Sequence, residues 1–266
     1  MAQETPSVYT YIIGDFMVSL LSESQQTRDT GILIGATDEM IAECTPDGTF
    51  SNAVNAFLVQ TPTHNILFDT GLGQNLFMNM ESLGVTAEDV DILCITHMHG
   101  DHIGGMLQYD KVMFPNATVY LPQPEYDYWM NTESRQAHQV IEAYKERIKL
   151  FTPQALGSAT ETLLPGIQAI AAYGHTPGHT TFLLDSEGEQ LLIWGDLTHA
   201  MAVQMPYPQV AVTYDVNAAD AISARQAILQ YVTEYKIPIA GMHITYPAMG
   251  KIEKRSGEGY RFIPFK

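Results

Sequence analysis

The sequence predicts an α/β fold carried by a single domain over residues 1–266. Three observations predict it. Short apolar runs of strand length recur from end to end, separated by turn signals. Two or three longer stretches instead carry apolar residues at helical spacing. Several buried strands also run straight into loops that open on histidine or aspartate, the arrangement in which a rigid sheet holds a site at its edge. A chain of 266 residues is long enough to bury one substantial core.

Val8–Leu20 alternates weakly and reads as a strand pair around Gly14-Asp15. Asn55–Gln60 and Ile66–Asp69 are two short apolar runs around a Thr-Pro-Thr-His-Asn turn signal. Val90–Ile95, preceded by Thr86-Ala-Glu-Asp, is a compact buried strand that leads into His97-Met-His-Gly-Asp-His102. Gly104–Tyr109 is expected to start a helix. Pro124–Leu150, with Trp129, Val140, Ile141, Tyr144 and Ile148 at helical spacing, reads as a long amphipathic helix or helix pair. Ile167–Tyr173 is a strand followed by Gly174-His-Thr-Pro-Gly-His179. Thr181–Leu184 and Gln190–Trp194 form a hairpin around Ser186-Glu-Gly, and its second strand ends at Gly195-Asp196. Ala218–Glu234 is helical, and Ile237–Met242 is a further strand that ends at His243.

The formal charge of −17 argues against nucleic acid and anionic membranes as partners, because both require basic patches. No apolar stretch reaches the roughly 18 residues of a membrane span. Cys44 and Cys94 are too few and too far apart for a disulfide framework, and Cys94 reads as an inert core thiol. The opening Met-Ala-Gln-Glu-Thr-Pro has no basic and apolar regions of a signal peptide. A cytoplasmic protein and a mature exported one both fit. No Lys or Arg occurs between Arg28 and Lys111, or between Lys149 and Arg225.

The potential ligands at strand ends are His97, His99, Asp101, His102, His175, His179, Asp196, His199 and His243. Neutral imidazole and carboxylate are the donors that bind zinc, iron or manganese. Seven of the nine histidines fall in this set, with His64 and His138 outside it. Its recurrence at strand ends points to a metal site.

The order of these motifs resembles the metallo-β-lactamase superfamily, in which His-x-His-x-Asp-His is followed by a Gly-His-x-x-Gly-His loop, a strand-ending Asp and a late His. The resemblance covers essentially the whole chain and implies a four-layer αββα sandwich with metals at one edge. It implies His97, His99 and His179 as ligands of one metal, Asp101, His102 and His243 as ligands of a second, and Asp196 as the bridge. Asp69, in Phe-Asp-Thr-Gly, matches an Asp that steadies the histidine loop, with a turn cap as the plainer reading. His175 matches no ligand position and is expected to pack or hydrogen-bond in its loop.

Gly174-His-Thr-Pro-Gly-His-Thr-Thr, Trp194-Gly-Asp-Leu-Thr-His and Gly257-Glu-Gly-Tyr-Arg-Phe-Ile-Pro resemble the branch of methyl parathion hydrolase and the N-acyl-homoserine lactonases. So do Gly14-Asp15-Phe16, Phe114-Pro-Asn-Ala-Thr-Val-Tyr and Tyr128-Trp129. That branch implies that Trp129 lines a substrate pocket, a core Trp being the alternative. His199 is open between a donor to a carbonyl or phosphoryl oxygen, a proton shuttle and a structural role. The branch also implies a homodimer, which apolar residues of the N-terminal third would serve.

The expected chemistry is hydrolysis at two divalent metals, zinc first, with manganese, cobalt and iron left open by ligand type. A hydroxide shared by the metals attacks an acyl carbon or phosphorus, and Asp101 and Asp196 orient it or take its proton. The distance of Lys and Arg from the ligand loops favours a small neutral ester, lactone or phosphotriester. The alternatives are an iron-dependent oxidoreductase or dioxygenase on the same fold, which a full second ligand set argues against, and a thioesterase or β-lactamase-type hydrolase.

Overall fold

A computed structural model describes residues 7–158 and 161–266 of the chain. Residues 1–6, on which the expectation about a signal peptide rests, lie outside the described part. No helix among the described residues is long and apolar enough to cross a membrane.

The first half builds a seven-stranded sheet. β1 (Val8–Ile13) turns back into β2 (Phe16–Asp29) at Gly14-Asp15. The short β3 (Leu33–Ile34) and helix α1 (Asp38–Cys44) follow. β4 (Thr49–Gln60) then pairs antiparallel along β2, with a bulge between Ser22 and Ser24. β5 (Asn65–Phe68), α2 (Leu76–Ser82) and β6 (Ile92–Cys94) lead to the single turn α3 (Gly100–Ile103). A small hairpin of β7 (Leu107–Gln108) and β8 (Lys111–Val112) precedes β9 (Thr118–Pro122). Helices α4 (Gln123–Met130) and α5 (Arg135–Tyr144) connect to β10 (Ile148–Phe151). The sheet order is β1-β2-β4-β5-β6-β9-β10, and β5, β6, β9 and β10 run parallel.

The second half builds a six-stranded sheet. β11 (Ile167–Ala171), β12 (Thr180–Ser186) and β13 (Glu189–Ile193) form a meander. After α6 (Met201–Gln204), β14 (Ala211–Val212) crosses back to pair with β3. The long helix α7 (Ala218–Tyr235) returns the chain to β15 (Ile239–Ala240), parallel to β13, and β16 (Met249–Lys254) and β17 (Tyr260–Pro264) complete the sheet.

The period-two pattern of the strands explains the layering. Phe57, Val59, Ile66, Phe68, Ile92 and Cys94 pack with Ile167, Phe182 and Leu184 of the other sheet. Their sequence neighbours Leu58, Leu67 and Leu93 pack instead with Leu76 and Met80 of α2 and Val140 and Tyr144 of α5. Ile228, Leu229 and Val232 of α7 join the core of the second sheet. The result is the αββα sandwich expected from the sequence, with each buried Leu, Ile or Phe contributing about 1.5–3 kcal/mol.

Two expected helices differ. The helix expected over Gly104–Tyr109 is instead the turn α3, which begins inside the histidine motif and gives way to a 3-10 turn and β7. Adjacent Gly104 and Gly105 are poor helix formers, and a Cβ at Gly105 would stand 2.5 Å from the Thr70 oxygen. The Pro124–Leu150 stretch is a helix pair, but Ile148 belongs to β10. Ser134 caps α5 by accepting from Ala137 N–H, which starts a new helix where one long helix would continue.

Candidate metal centre

β5 and β6 are parallel neighbours, and β11, β13 and β15 share one direction in the second sheet. Their C-terminal ends meet at one edge of the sandwich. From there the loops deliver Asp69, the His97–His102 motif, His175, Asp196 and His243. Two groups of donors converge: His97, His99, His175 and Asp196 in one, and Asp101, His102 and His243 in the other, each with its ligand atoms within 4.8 Å of one another. Asp196 and His243 also group with His199.

Asp196 stands between the groups. Its Oδ1 lies 3.1 Å from His102 Nε2. Its Oδ2 lies 2.9 Å from His243 Nε2, 3.1 Å from His199 Nε2, 3.2 Å from His175 Nε2 and 3.5 Å from His97 Nε2. Burial opposes its charge, but the surrounding imidazoles of His102, His243, His97 and His199 hold its carboxyl well below the usual range.

The outward face of four rings is fixed by a hydrogen bond. His97 Nδ1 lies 3.0 Å from Thr96 Oγ1, and that hydroxyl donates to Asp69 Oδ2 at 2.7 Å. His102 Nδ1 lies 2.7 Å from the same Asp69 oxygen. His175 Nδ1 lies 2.9 Å from Asp215 Oδ1, and His243 Nδ1 lies 2.7 Å from the Ala53 carbonyl. Each of these four outer nitrogens can donate in this arrangement, which leaves the inner nitrogen of His97, His102, His175 and His243 facing the centre. The inward nitrogens then face one another: His97 Nε2 and His99 Nδ1 at 2.9 Å, His99 Nδ1 and His175 Nε2 at 3.0 Å. Nitrogens this close need a proton or a metal ion between them: against burial, the Asp196 and Asp215 carboxylates push His175 up to about 9, and Asp196 pulls His102 and His243 upward, so these rings hold protons that a metal ion would displace. Burial pushes His97 well down and His99 down to about 3, so both rings present lone pairs at neutral pH. His102 Nε2 and Asp196 Oδ1 are buried and make no hydrogen bond. This donor set fits divalent metals of the zinc class.

A domain model described as "Metallo-beta-lactamase superfamily" matches residues 51–238. The chain belongs to the metallo-β-lactamase superfamily.

Within this superfamily, an N-acyl homoserine lactonase of Bacillus cereus is 25% identical over 176 residues, covering 56% of this chain and 65% of the lactonase. An atrochrysone carboxyl ACP thioesterase of Aspergillus chevalieri is 27% identical over 162 residues, covering 59% and 45%. A ribonuclease Z of Thermobifida fusca is 30% identical over 136 residues, covering 48% and 42%. The chain thus spans less than two thirds of each of these relatives. Among solved structures, the hydrolase AbOPH superposes with a TM-score of 0.90 at 25% identity, covering 99% of both chains. AidC, described as a dizinc quorum-quenching lactonase, superposes with a TM-score of 0.86 at 22% identity, covering 98% of both.

The superfamily resemblance implied His179 as a ligand and left His175 aside; in the structure it is His175 that stands in the first donor group with His97, His99 and Asp196. His179 directly precedes β12, and its carbonyl accepts from Ala172 N–H at 2.9 Å at the base of the β11–β12 hairpin. Both of its ring nitrogens are used there. Nδ1 lies 2.9 Å from the Ala172 carbonyl, and Nε2 accepts the Asp196 N–H at 2.9 Å. Gly195 makes room for this ring, because a Cβ there would stand 2.5 Å from His179 Nε2. His175, at the tip of the loop, has the free approach to Asp196. His97, His99, Asp101, His102, Asp196 and His243 all lie within the two donor groups.

Asp69 takes the steadying position that the sequence suggested, in a left-handed conformation at φ 55°. His199 is buried with Nε2 on Asp196, and its backbone is fixed by Gln204 Oε1 and by Asn52 Nδ2. Trp129 is not among the residues lining the cavity over the metal centre. Its indole stands edge-on to His99, with ring centres 5.5 Å apart, and donates to Glu125 Oε1.

Glu125 is a residue the sequence did not single out. It is fully buried. Oε1 also accepts from Met98 N–H, and Oε2 accepts from the Thr176 hydroxyl and Gly178 N–H. One carboxylate therefore ties the His97 loop to the His175 loop. Gly178 permits the contact, since a Cβ would stand 2.2 Å from Glu125 N. Asp215 and Arg225 were also missed. Arg225 is buried on α7 and donates to the Leu197, Pro208 and Val210 carbonyls, with Asp215 at 3.9 Å.

A cavity of 590 Å³ opens over the centre, lined among others by His99, Asp101, Asp196, His199 and His243. Arg28 also lines it, which corrects the expectation of a site without cations. Arg28 lies far from every ligand in sequence, but β2 extends past its bulge and carries the side chain over the cavity.

Proposed function

We propose that the chain is a dinuclear metal-dependent hydrolase acting on an ester, lactone or phosphotriester bond. The observation that carries this reading is the position of Asp196 between two donor groups: Oδ2 lies 3.2 Å from His175 Nε2 of one and 2.9 Å from His243 Nε2 of the other, and Oδ1 lies 3.1 Å from His102 Nε2. His97, His99 and His175 would hold one divalent ion, Asp101, His102 and His243 the other, and Asp196 would touch both. Bound there, the ions would supply Lewis acidity toward a water and toward the oxygen of the scissile carbonyl or phosphoryl group.

The chain's own groups define the rest. Asp101 is partly exposed to the cavity, 3.6 Å from His243 Nε2, and is placed to orient a water or take its proton. His199 lines the same cavity with Nε2 3.1 Å from Asp196 Oδ2, and would donate to the leaving oxygen. Glu125 and Asp215 position the ligand loops. The second donor group favours hydrolysis over single-iron oxygen chemistry. The N-acyl homoserine lactonase relative and the AidC superposition support a lactone or ester over the other bonds.

The test is a panel of lactones, aryl esters, β-lactams and phosphotriesters on protein loaded with zinc, manganese, cobalt or iron, with metal content counted per chain. Turnover of a lactone or ester with two ions bound, abolished in Asp196→Ala, is the expected result. Wild type as inactive as Asp196→Ala across the panel would overturn the reading.

A further inference from the structure

The wall of the cavity opposite the metal ligands is built by β2 and β4. Ser24, Gln26 and Arg28 line it from β2, and Asn52 and Val54 from β4, each set at period two and so on one face. The bulge between Ser22 and Ser24 shifts the alternation of β2 and aims this polar row inward. Arg28 is the one Lys or Arg among the lining residues. Arg225, Arg255 and Arg261 stand 3.9, 3.2 and 2.6 Å from carboxylates, whereas among the described residues no carboxylate pairs with Arg28. Its guanidinium meets the Gln26 side-chain oxygen, 2.9 Å from Nη2 and 3.3 Å from Nε, with the amide turned to accept. That contact orients the fork and leaves its other N–H groups free.

The register gives the span. Gln26 pairs with Asn52, whose amide holds the His199 carbonyl, and Gln25 pairs with Ala53, whose carbonyl holds His243. Arg28 lies two residues farther along β2, roughly 7 Å at the strand rise. An oriented, unpaired guanidinium in the wall of an enzyme of net charge −17 is a recognition element for an oxyanion.

We propose that Arg28 is a specificity residue that anchors a carboxylate or similar oxyanion carried by the substrate several bonds away from the uncharged group that is cleaved. This rests on the hydrolase reading above and narrows it. The substrate is a singly charged ester or lactone rather than a wholly neutral one.

The test compares 4-nitrophenyl hydrogen adipate with its methyl ester on the metal-loaded full chain, in wild type and Arg28→Leu. Arg28 is exposed, so the variant is expected to fold. Wild type is expected to prefer the charged ester at least tenfold in kcat/KM, through KM, and Arg28→Leu to lose that preference. An equal preference in both proteins overturns the proposal. In parallel, calorimetry measures binding of the corresponding 4-nitroanilides, which resist hydrolysis. Tenfold weaker binding of the carboxylated anilide to Arg28→Leu supports the anchor, and equal binding overturns it. If neither ester is turned over, the hydrolase reading fails for such esters, while the calorimetric arm still decides on Arg28.

Discussion

His175 Nδ1 lies 2.9 Å from Asp215 Oδ1, and this contact turns the opposite nitrogen of the ring toward Asp196. Asp215 in turn accepts from Val212 N–H at 3.0 Å through its other oxygen, so the pair is anchored to the loop before α7. Replacing Asp215 by Asn removes the charge that favours this orientation. We expect about 10–100-fold weaker metal affinity, the usual effect of losing such a partner. Competition against a coloured chelator measures it, and unchanged affinity would show that Asp215 does not set the His175 ring.

Exchanging the two histidines of the Gly-His-Thr-Pro-Gly-His loop separates ligand from scaffold. His175→Ala is expected to lower the bound metal from about two ions per chain to about one. His179→Ala is expected to keep both ions, but to cost about 2–4 kcal/mol by leaving the Asp196 N–H and the Ala172 carbonyl without partners. Elemental analysis of dialysed protein together with urea unfolding distinguishes the two. Loss of metal in His179→Ala without a loss of stability would reverse the assignment.

Glu125→Gln places an amide NH₂ where one of the carboxylate oxygens accepts two hydrogen bonds. With donors from Met98, Trp129, Thr176 and Gly178 surrounding it, no orientation of the amide satisfies all four. A loss of about 2–4 kcal/mol is expected in chemical denaturation. Because the residue ties two ligand loops together, metal dissociation should also become faster.

Cys94 is buried between the sheets, and burial pushes its thiol far above the usual range, with the nearby Asp69 adding to the shift. The folded state therefore keeps a proton that the unfolded chain releases near its ordinary value of about 8.5. Stability from this group is fully present below that pH and declines above it, by up to about 1.4 kcal/mol per pH unit. Cys94→Ala should flatten the alkaline limb of stability against pH. A thiol reagent at pH 8 should modify Cys44 in the native protein and reach Cys94 only after unfolding.

The sequence revealed most of the strands that form the core, because Phe57, Val59, Ile66 and Phe68 carry the apolar pattern that packing requires. It did not reveal α1, a two-turn helix too short to show a period, whose Met40 and Cys44 are only partly buried against the Phe50 cluster. β16 and β17 were missed because charged residues break their apolar runs: Met249 and Ile252 enter the core, but Lys251, Glu253 and Lys254 face solvent. The metal ligands were legible because their donor types cluster at strand ends. The choice between His175 and His179 was not, since both follow a glycine and only the β11–β12 pairing separates loop tip from hairpin base. Arg28 and Glu125 were hidden because each reaches the centre through tertiary structure rather than through a motif.

The two sheets contribute unequal shares of the donors: His97, His99, Asp101 and His102 follow β6, whereas His175, Asp196 and His243 follow strands of the second sheet. Neither half of the chain holds either of the two proposed donor groups whole. Metal uptake would therefore report on the docking of one sheet against the other, and ions bound there would act as a clasp across the seam of the sandwich. Binding energy at this edge is folding energy for the whole molecule. Stripping the ions should loosen the two halves from each other before it unravels either one.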